Sequence, residues 1–287
     1  MPTTISVVIP TYNSASVIEQ CLASINDQTY AAQNVVVCDG GSSDATIDIA
    51  TSCGATVVRS LASRSAQRNA GALRALGEYV VFIDSDMKLT RTVLEDCVKT
   101  FTERDAALVI PEVDIGESYW ARVRGFERSF YKGVWWLQGA RCFRTAQFLT
   151  IGGFDVGLIG AEDWDLDERI RQFGGVREIA ASIEHDEGRA NLNELMKKKT
   201  HYSKSFQVFW ERHPERAALC FSSRRRAWLI ARRPDRLVRH PMLALGLSSI
   251  GVLEILVSRG WLKRWASSSE EQTLEGSLNP IVTDGSE

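Results

Sequence analysis

Apolar residues along the first part of the chain follow two alternating rhythms. Uninterrupted apolar runs, ISVVIP at 5–10, NVVVCD at 34–39, ATVVRS at 55–60 and EYVVFID at 78–84, each end in polar or turn-forming residues. Between them apolar positions recur three and four residues apart, as at Val17, Ile18, Cys21, Leu22 and Ile25. Short continuous runs read as strands buried on both faces, and the three-four spacing reads as amphipathic helix. Helices are predicted over 14–27, capped by Ser14 or Ser16, after Ser43 or Asp44, over 64–76 and over 91–101. ALVIPEV, 107–113, predicts a fifth strand. Strands alternating with helices predict an α/β protein whose doubly wound, mostly parallel sheet carries helices on both faces.

From about residue 114 the rhythm changes. SYWARVRGFERSFYKGVWW (118–136) is aromatic and mixed in charge, and GARCFRTAQFLTIGGFD (139–155) reads as strand, short helix and turn. AEDWDLDERIRQFGG (161–175) starts a helix on acids and stops at Gly-Gly, VREIAASIEHDEG (176–188) carries a strand into His185, and 191–213 predicts a helix displaying Lys197, Lys198 and Lys199. These shifts divide the chain into 1–113, 114–215, a helical extension 216–265, and a Ser-, Glu- and Gly-rich tail 266–287 expected to be disordered.

The 287 residues, 44% of them hydrophobic, suffice for one large or two small cores. A net charge of −2 points to no polyanionic partner, but its distribution is uneven. Twelve Lys or Arg face three acids between Arg212 and Arg264, whereas 266–287 holds five acids and no base. Six scattered cysteines without a CxxC pair predict reduced thiols in a cytosolic protein and no zinc site. The first strand starts at Ile5, so no leader is expected. The longest apolar stretch, 241–257, is interrupted by Glu254, too short a run to predict a spanning helix.

Ligands of doubly wound sheets bind beyond the strands' carboxyl ends. Three such ends are polar here: Thr11-Tyr12-Asn13, Asp39-Gly40-Gly41-Ser42 and Asp84-Ser85-Asp86. Two carboxylates one residue apart at the end of a buried strand are costly unless a cation or a ligand's donors neutralise them. The alternative is that Asp84 and Asp86 cap the following helix.

PTYN (10–13), DGGSSD (39–44), QRNAG (67–71), DSD (84–86), GGFD (152–155) and EDWDLDERI (162–170) stand in an order that resembles glycosyltransferase family 2, over about residues 4 to 210. The resemblance implies the GT-A fold and transfer of a sugar from a nucleotide diphosphate, a UDP-sugar foremost, to a hydroxyl of a saccharide or lipid-linked acceptor in cell-surface glycan assembly. Mn²⁺ or Mg²⁺ is the implied cofactor, since a diphosphate leaves readily only when its charge is neutralised. By resemblance Asp86 binds the metal and Asp84 and Ser85 lie at the donor. Asp39 accepts from uracil, Pro10, Thr11 and Tyr12 frame the base, and Arg68 reaches the nucleotide. Asp163 is the implied base that takes the acceptor hydroxyl's proton in an inverting displacement, with Glu162 beside it.

Each assignment has a plainer counterpart. His185 is a third metal ligand or a loop histidine bonded to backbone. Arg64 and Arg68 serve the nucleotide or a solvated helix face. The acids of 162–167 serve catalysis or the helix dipole, the latter alone being assigned to Asp165 and Asp167. Trp135 and Trp136, before Gly139, stack on acceptor sugar or pack in the core.

RRRAWLIARRPDRLVRHP (224–241), the apolar segment after it, and Trp261 and Trp265 beside Lys263 and Arg264 suggest an element lying in an anionic membrane face. The predicted location is cytoplasmic, peripheral to the membrane. The alternative is a helical hairpin packed on the protein or on a second copy; nucleic acid is not an expected partner. A polyprenyl-phosphate sugar synthase and a non-catalytic binding protein of the same fold are the rival functions. A sugar nucleotidyltransferase is a weaker one, because TYNSAS replaces the basic Gly-rich loop it needs after strand one.

Overall fold

The computed structural model describes residues 3–186, 188, 192 and 206–252. The first strands fall where the apolar runs predict: β1 (Ile5–Thr11), β2 (Asn34–Asp39), β3 (Thr56–Arg59) and β4 (Tyr79–Phe82). They alternate with α1 (Ile18–Asn26), α2 (Thr46–Ser52) and α3 (Arg64–Ala72). After β4 come β5 (Met87–Leu89), α4 (Val93–Thr100), β6 (Asp105–Val109), β7 (Glu112–Ile115) and α5 (Tyr119–Ser129). A 3₁₀ turn at Trp135–Leu137 precedes β8 (Cys142–Arg144), α6 (Thr145–Thr150) and α7 (Glu162–Ile170). Then follow β9 (Gly175–Glu178), β10 (Ile183–Asp186), α8 (Phe206–Arg212), α9 (Pro214–Cys220), α10 (Ser223–Ala231) and α11 (Pro234–Arg239).

Seven strands form one sheet in the order β3-β2-β1-β4-β8-β6-β9. β1, β2, β3 and β4 are mutually parallel, and β8 enters antiparallel between β4 and β6. The sheet's central strands β1, β4 and β6 are buried on both faces, as continuous apolar strands require, while the edge strands β3 and β9 are partly exposed. Successive side chains point to opposite faces. Ile5, Val7, Ile9, Val37 and Val81 pack with α1 and α4, whereas Val8, Val36, Cys38, Val80 and Phe82 pack with Ala72, Phe148, Leu166 and Ile170 of α3, α6 and α7. The mixed α/β architecture with a largely parallel sheet is the one the alternating rhythm predicts.

The expectation of one strand over 107–113 is corrected. Pro111 lacks a ladder N–H, and the chain leaves the main sheet there. β6 stays in that sheet, while β7 joins a second one of order β5-β10-β7. Strand order in the main sheet reverses at β1, so the crevice opens between the carboxyl ends of β1 and β4.

The chain divides into two compact units, Met1–Pro234 and Asp235–Glu287. In the second, residues 241–252 are helical. No helix among the described residues is long and apolar enough to cross a membrane. The expected tail 266–287, the end of the apolar segment with Trp261 and Trp265, and most of the helix expected over 191–213 lie outside the described residues.

Candidate active site

The crevice floor is built by loops that lock one another. Asn13 adopts φ +48°; its N–H donates to Ser42 Oγ at 2.8 Å and its Oδ1 accepts from Ser43 N–H at 2.9 Å. Asp39 lies under this loop at 0% exposure, accepting from Gly41 N–H (2.8 Å), Ser42 N–H (2.9 Å) and the Ser42 hydroxyl. Burial pushes its carboxyl up, but the Ser42 and Gly41 bonds outweigh it and hold the carboxyl below its usual range. Pro10 and Thr11 are buried in β1, whereas the Tyr12 ring stands 61% exposed at the crevice mouth.

The QRNAG stretch fixes α3 against these strand ends. Gln67 Nε2 donates to the carbonyls of Thr11 (2.6 Å) and Cys38 (3.0 Å), and Asn69 exchanges two bonds with the Phe154 backbone. Gly71 has no room for a side chain: a Cβ there would meet Val8 Cγ1 at 2.3 Å.

Beyond β4 the carboxylates come from the β4–β5 turn, β7 and α7. Asp84 Oδ1 accepts from Arg68 Nη2 at 2.7 Å, and its Oδ2 lies 3.5 Å from Arg141 Nη2. Although burial opposes it, the guanidiniums of Arg68 and Arg141 drive the Asp84 carboxyl far below its ordinary range. Ser85 Oγ donates to Ser14 Oγ at 2.9 Å. Asp86 presents a buried Oδ1 with no hydrogen-bond partner and an Oδ2 that lies 3.5 Å from His185 Nε2. This meeting of Asp86 and His185 comes from β10 pairing antiparallel to β5, with His185 opposite Met87, and from Asp186 N–H donating to the Asp86 carbonyl.

β7 flanks β10 on its other side and contributes two acids absent from the sequence-based set, Glu112 and Asp114. Asp114 pairs in register with His185. Its Oδ1 accepts from Arg128 Nη1 (2.8 Å) and faces His185 Nδ1 (3.2 Å). Glu112 is clasped by Arg141 and Arg128. Glu112, Asp114 and His185 bring ligand atoms within 4.8 Å of one another. Arg128 holds Asp114 through Oδ1 alone, leaving its buried Oδ2 without a hydrogen-bond partner, whereas Arg128 and Arg141 both hold Glu112. Asp86, Asp114 and His185 are therefore the candidate donors for a cation. A carboxylate and an imidazole suit Mn²⁺, and the orphaned Asp86 Oδ1 is an oxygen donor awaiting a partner.

The far wall is α7. Glu162 is buried and accepts from Arg64 and from Gly160 N–H. Asp163 accepts from Arg68 Nη1 at 3.0 Å. Burial raises the Asp163 carboxyl above its usual range; Arg68 and Arg141 pull it down, while Glu162 adds to the rise. Gly139 makes room for it, since a Cβ there would stand 2.7 Å from Asp163 Cβ. Trp135 keeps half its surface exposed, with Arg171 and Arg216 against its ring; Trp136 is half-buried and its carbonyl meets Cys220 Sγ.

The dipole role expected for Asp165 and Asp167 is corrected. Asp165 accepts from Arg169 Nε (2.7 Å) and meets His213 Nε2 (2.9 Å). Asp167 accepts from Ala140 N–H (2.9 Å) and pairs with the buried Arg216 (3.1 Å). Both are fully buried, and they anchor α8, α9 and the Trp135 turn to α7. Burial lifts the Asp167 carboxyl to about 6.

Residues 6–156 match the family described as Glycosyl transferase family 2. A pre-mycofactocin glycosyltransferase of Mycobacterium tuberculosis is 28% identical over 235 residues, 75% of this chain and 49% of the relative. Glycosyltransferase GlyA of Streptococcus pneumoniae is 27% identical over 194 residues, 58% of this chain and 28% of the relative. The chain thus spans about half, or less, of these curated relatives. Among solved structures, a mannosyltransferase from Pyrobaculum calidifontis in complex with GDP-Man and Mn²⁺ superposes with TM-score 0.58 at 19% identity, over 93% of this chain and 85% of that one. TarS 1-349 of S. aureus in complex with UDP-GlcNAc gives 0.53 at 19% identity, over 82% and 72%. Both likenesses are to the GT-A fold.

Proposed function

Because the chain belongs to glycosyl transferase family 2, we propose that it transfers a sugar from a nucleoside-diphosphate donor, a UDP-sugar foremost, to a hydroxyl of a saccharide or lipid-linked acceptor with inversion. The observation that carries this reading is the facing of Asp86 Oδ2 and His185 Nε2 across 3.5 Å beside the orphaned Asp86 Oδ1. Asp114 accepts at Nδ1, which leaves the Nε2 lone pair toward Asp86 in the neutral ring. In that state Asp86 Oδ2 and His185 Nε2 can share a divalent cation. Asp86 and His185 would hold Mn²⁺ or Mg²⁺, which when bound offsets the diphosphate's developing charge.

Asp163 accepts the proton of the attacking hydroxyl, and its raised affinity for protons suits that task. Glu162, held by Arg64, borders the sugar. Tyr12 flanks the base, and the exposed face of Trp135 offers an acceptor platform beside Gly139. A uracil N3–H reaches Asp39 only if the Ser42 hydroxyl gives way. The two solved neighbours were captured with GDP- and UDP-sugars respectively, which supports a nucleotide-sugar donor and leaves the base to experiment. Arginines of α10 and α11 and the exposed Trp228 support attachment to an anionic membrane surface.

The test is a panel of UDP- and GDP-sugars assayed for hydrolysis and binding with Mn²⁺, Mg²⁺ or EDTA, on the wild type and Asp86→Ala. Turnover with one donor class, lost in EDTA and in a folded Asp86→Ala, is expected. Full turnover in EDTA would sink the metal assignment.

A further inference from the structure

We propose that Arg68 is a positioning residue that sets the base Asp163 against the donor-side carboxylate Asp84, rather than a ligand of the nucleotide. The proposal rests on the reading of Asp163 as the base.

Its first support is where the helix puts the side chain. Gln67 and Gly71 press α3 onto the strand ends, and Arg68 enters the interior at 1% exposure. Arg64, one turn earlier, keeps 39% of its side chain exposed. The second support is what the guanidinium already does. Nη2 donates to Asp84 Oδ1 (2.7 Å), Nη1 to Asp163 Oδ1 (3.0 Å), and Glu162 Oε1 lies 3.9 Å away. The plane lies over the Phe154 ring, 5.1 Å from its centre, and the buried Nε has no partner. A phosphate reaches this cation only by displacing two carboxylates from a buried site.

A planar fork bridging two carboxylates fixes their separation, and an ammonium cannot reproduce it. Asp84 lies just past β4 and Asp163 in the first turn of α7, so Arg68 sets the spacing between the donor side and the base side. Asp163 is faced by Arg68 and Arg64 from α3, by Arg141 ahead of β8, and by Glu162 on its own helix. Without Arg68 the carboxylate loses both its anchor and its nearest counter-charge.

The experiment uses the full chain and the donor identified by the panel. Arg68→Gln should leave UDP affinity, measured calorimetrically with Mn²⁺, within about threefold. Its kcat should fall on the order of 10²-fold, with the acid limb of the kcat–pH profile moved to higher pH. Arg68→Lys should recover only part of the rate. In an Asp163→Asn background, Arg68→Gln should cost little more, because residues acting as one unit are not additive. A tenfold loss of UDP affinity with kcat kept, or an unmoved acid limb, would overturn the proposal. So would additive losses in the double variant. If Arg68→Gln does not fold, Arg68→Lys carries the affinity, kcat and double-variant comparisons, with no shift of the acid limb expected because the ammonium keeps the charge. Asp163→Asn at wild-type rate would instead remove the base assignment itself.

Discussion

Asp114 and His185 form a carboxylate–imidazole pair with a 3.2 Å approach at Nδ1, and Arg128 holds the carboxylate in place. Such a partner fixes which imidazole nitrogen carries the proton and where the other one points. In Asp114→Asn the His185 ring loses that orientation. Mn²⁺ affinity in the presence of UDP should weaken about 10- to 100-fold, as read by manganese EPR titration. Unchanged affinity in a folded variant would show that Asp114 serves packing alone.

Gly139 predicts a lesion in the rate rather than in donor binding. A methyl group at this position meets Asp163 Cβ at 2.7 Å, so Gly139→Ala pushes Asp163, the proposed base, away from its place. Misplacement by about 1 Å costs on the order of 10²-fold in rate. UDP affinity should hold while kcat falls by that order. A kcat equal to wild type would mean the α7 start yields without consequence.

Glu112 gives a prediction about acid stability. Burial alone would raise its carboxyl, yet Arg141 and Arg128 hold it down at about 2, against an ordinary 4.5. A depressed carboxylate stabilises the fold above pH 4.5, and that contribution is lost as the pH falls from 4.5 toward 2. Across that window wild type should lose on the order of 3 kcal/mol more unfolding free energy than Glu112→Gln. Denaturant melts at a series of pH values measure the difference. Parallel curves would refute the ion-pair account.

The basic C-terminal region predicts association with anionic vesicles. Each arginine near such a surface contributes about 1 kcal/mol, screened by salt, whereas burial of apolar surface is not screened. Co-sedimentation should weaken with ionic strength without vanishing, and a full chain with the exposed Arg224, Arg225, Arg232 and Arg239 changed to Gln should shift largely to the supernatant. Equal behaviour of the two chains, bound or unbound, would assign the region to packing or self-association.

Strand ends were the most legible part of the site. A buried run closing on Asp39 or Asp84 declares itself locally, because apolar continuity and a sudden carboxylate are both sequence properties. The acids of α7 were visible too, though not their division of labour. Asp165 and Asp167 look like a solvated helix start until Arg216 and His213 arrive from α9 and the turn before it. Glu112, Asp114 and Arg141 were missed. Glu-Val-Asp after Pro111 alternates as an edge strand does, and that signal was available. What no local pattern shows is the register that sets Asp114 opposite His185, since pairing across the small sheet is decided by distant segments.

The small sheet also decides how late in the chain the Asp86–His185 cluster is completed. β1 and β2 pair across one short crossover, whereas β4 returns to β1 only after α2, β3 and α3 have intervened. Joining the Asp186 N–H to the Asp86 carbonyl closes a loop of about one hundred residues, and the chain entropy of that closure must be met before the contact rewards it. A chain that stops short of β10 lacks the imidazole that faces Asp86. The meeting of these two side chains is therefore a product of tertiary closure, made only when segments about one hundred residues apart join.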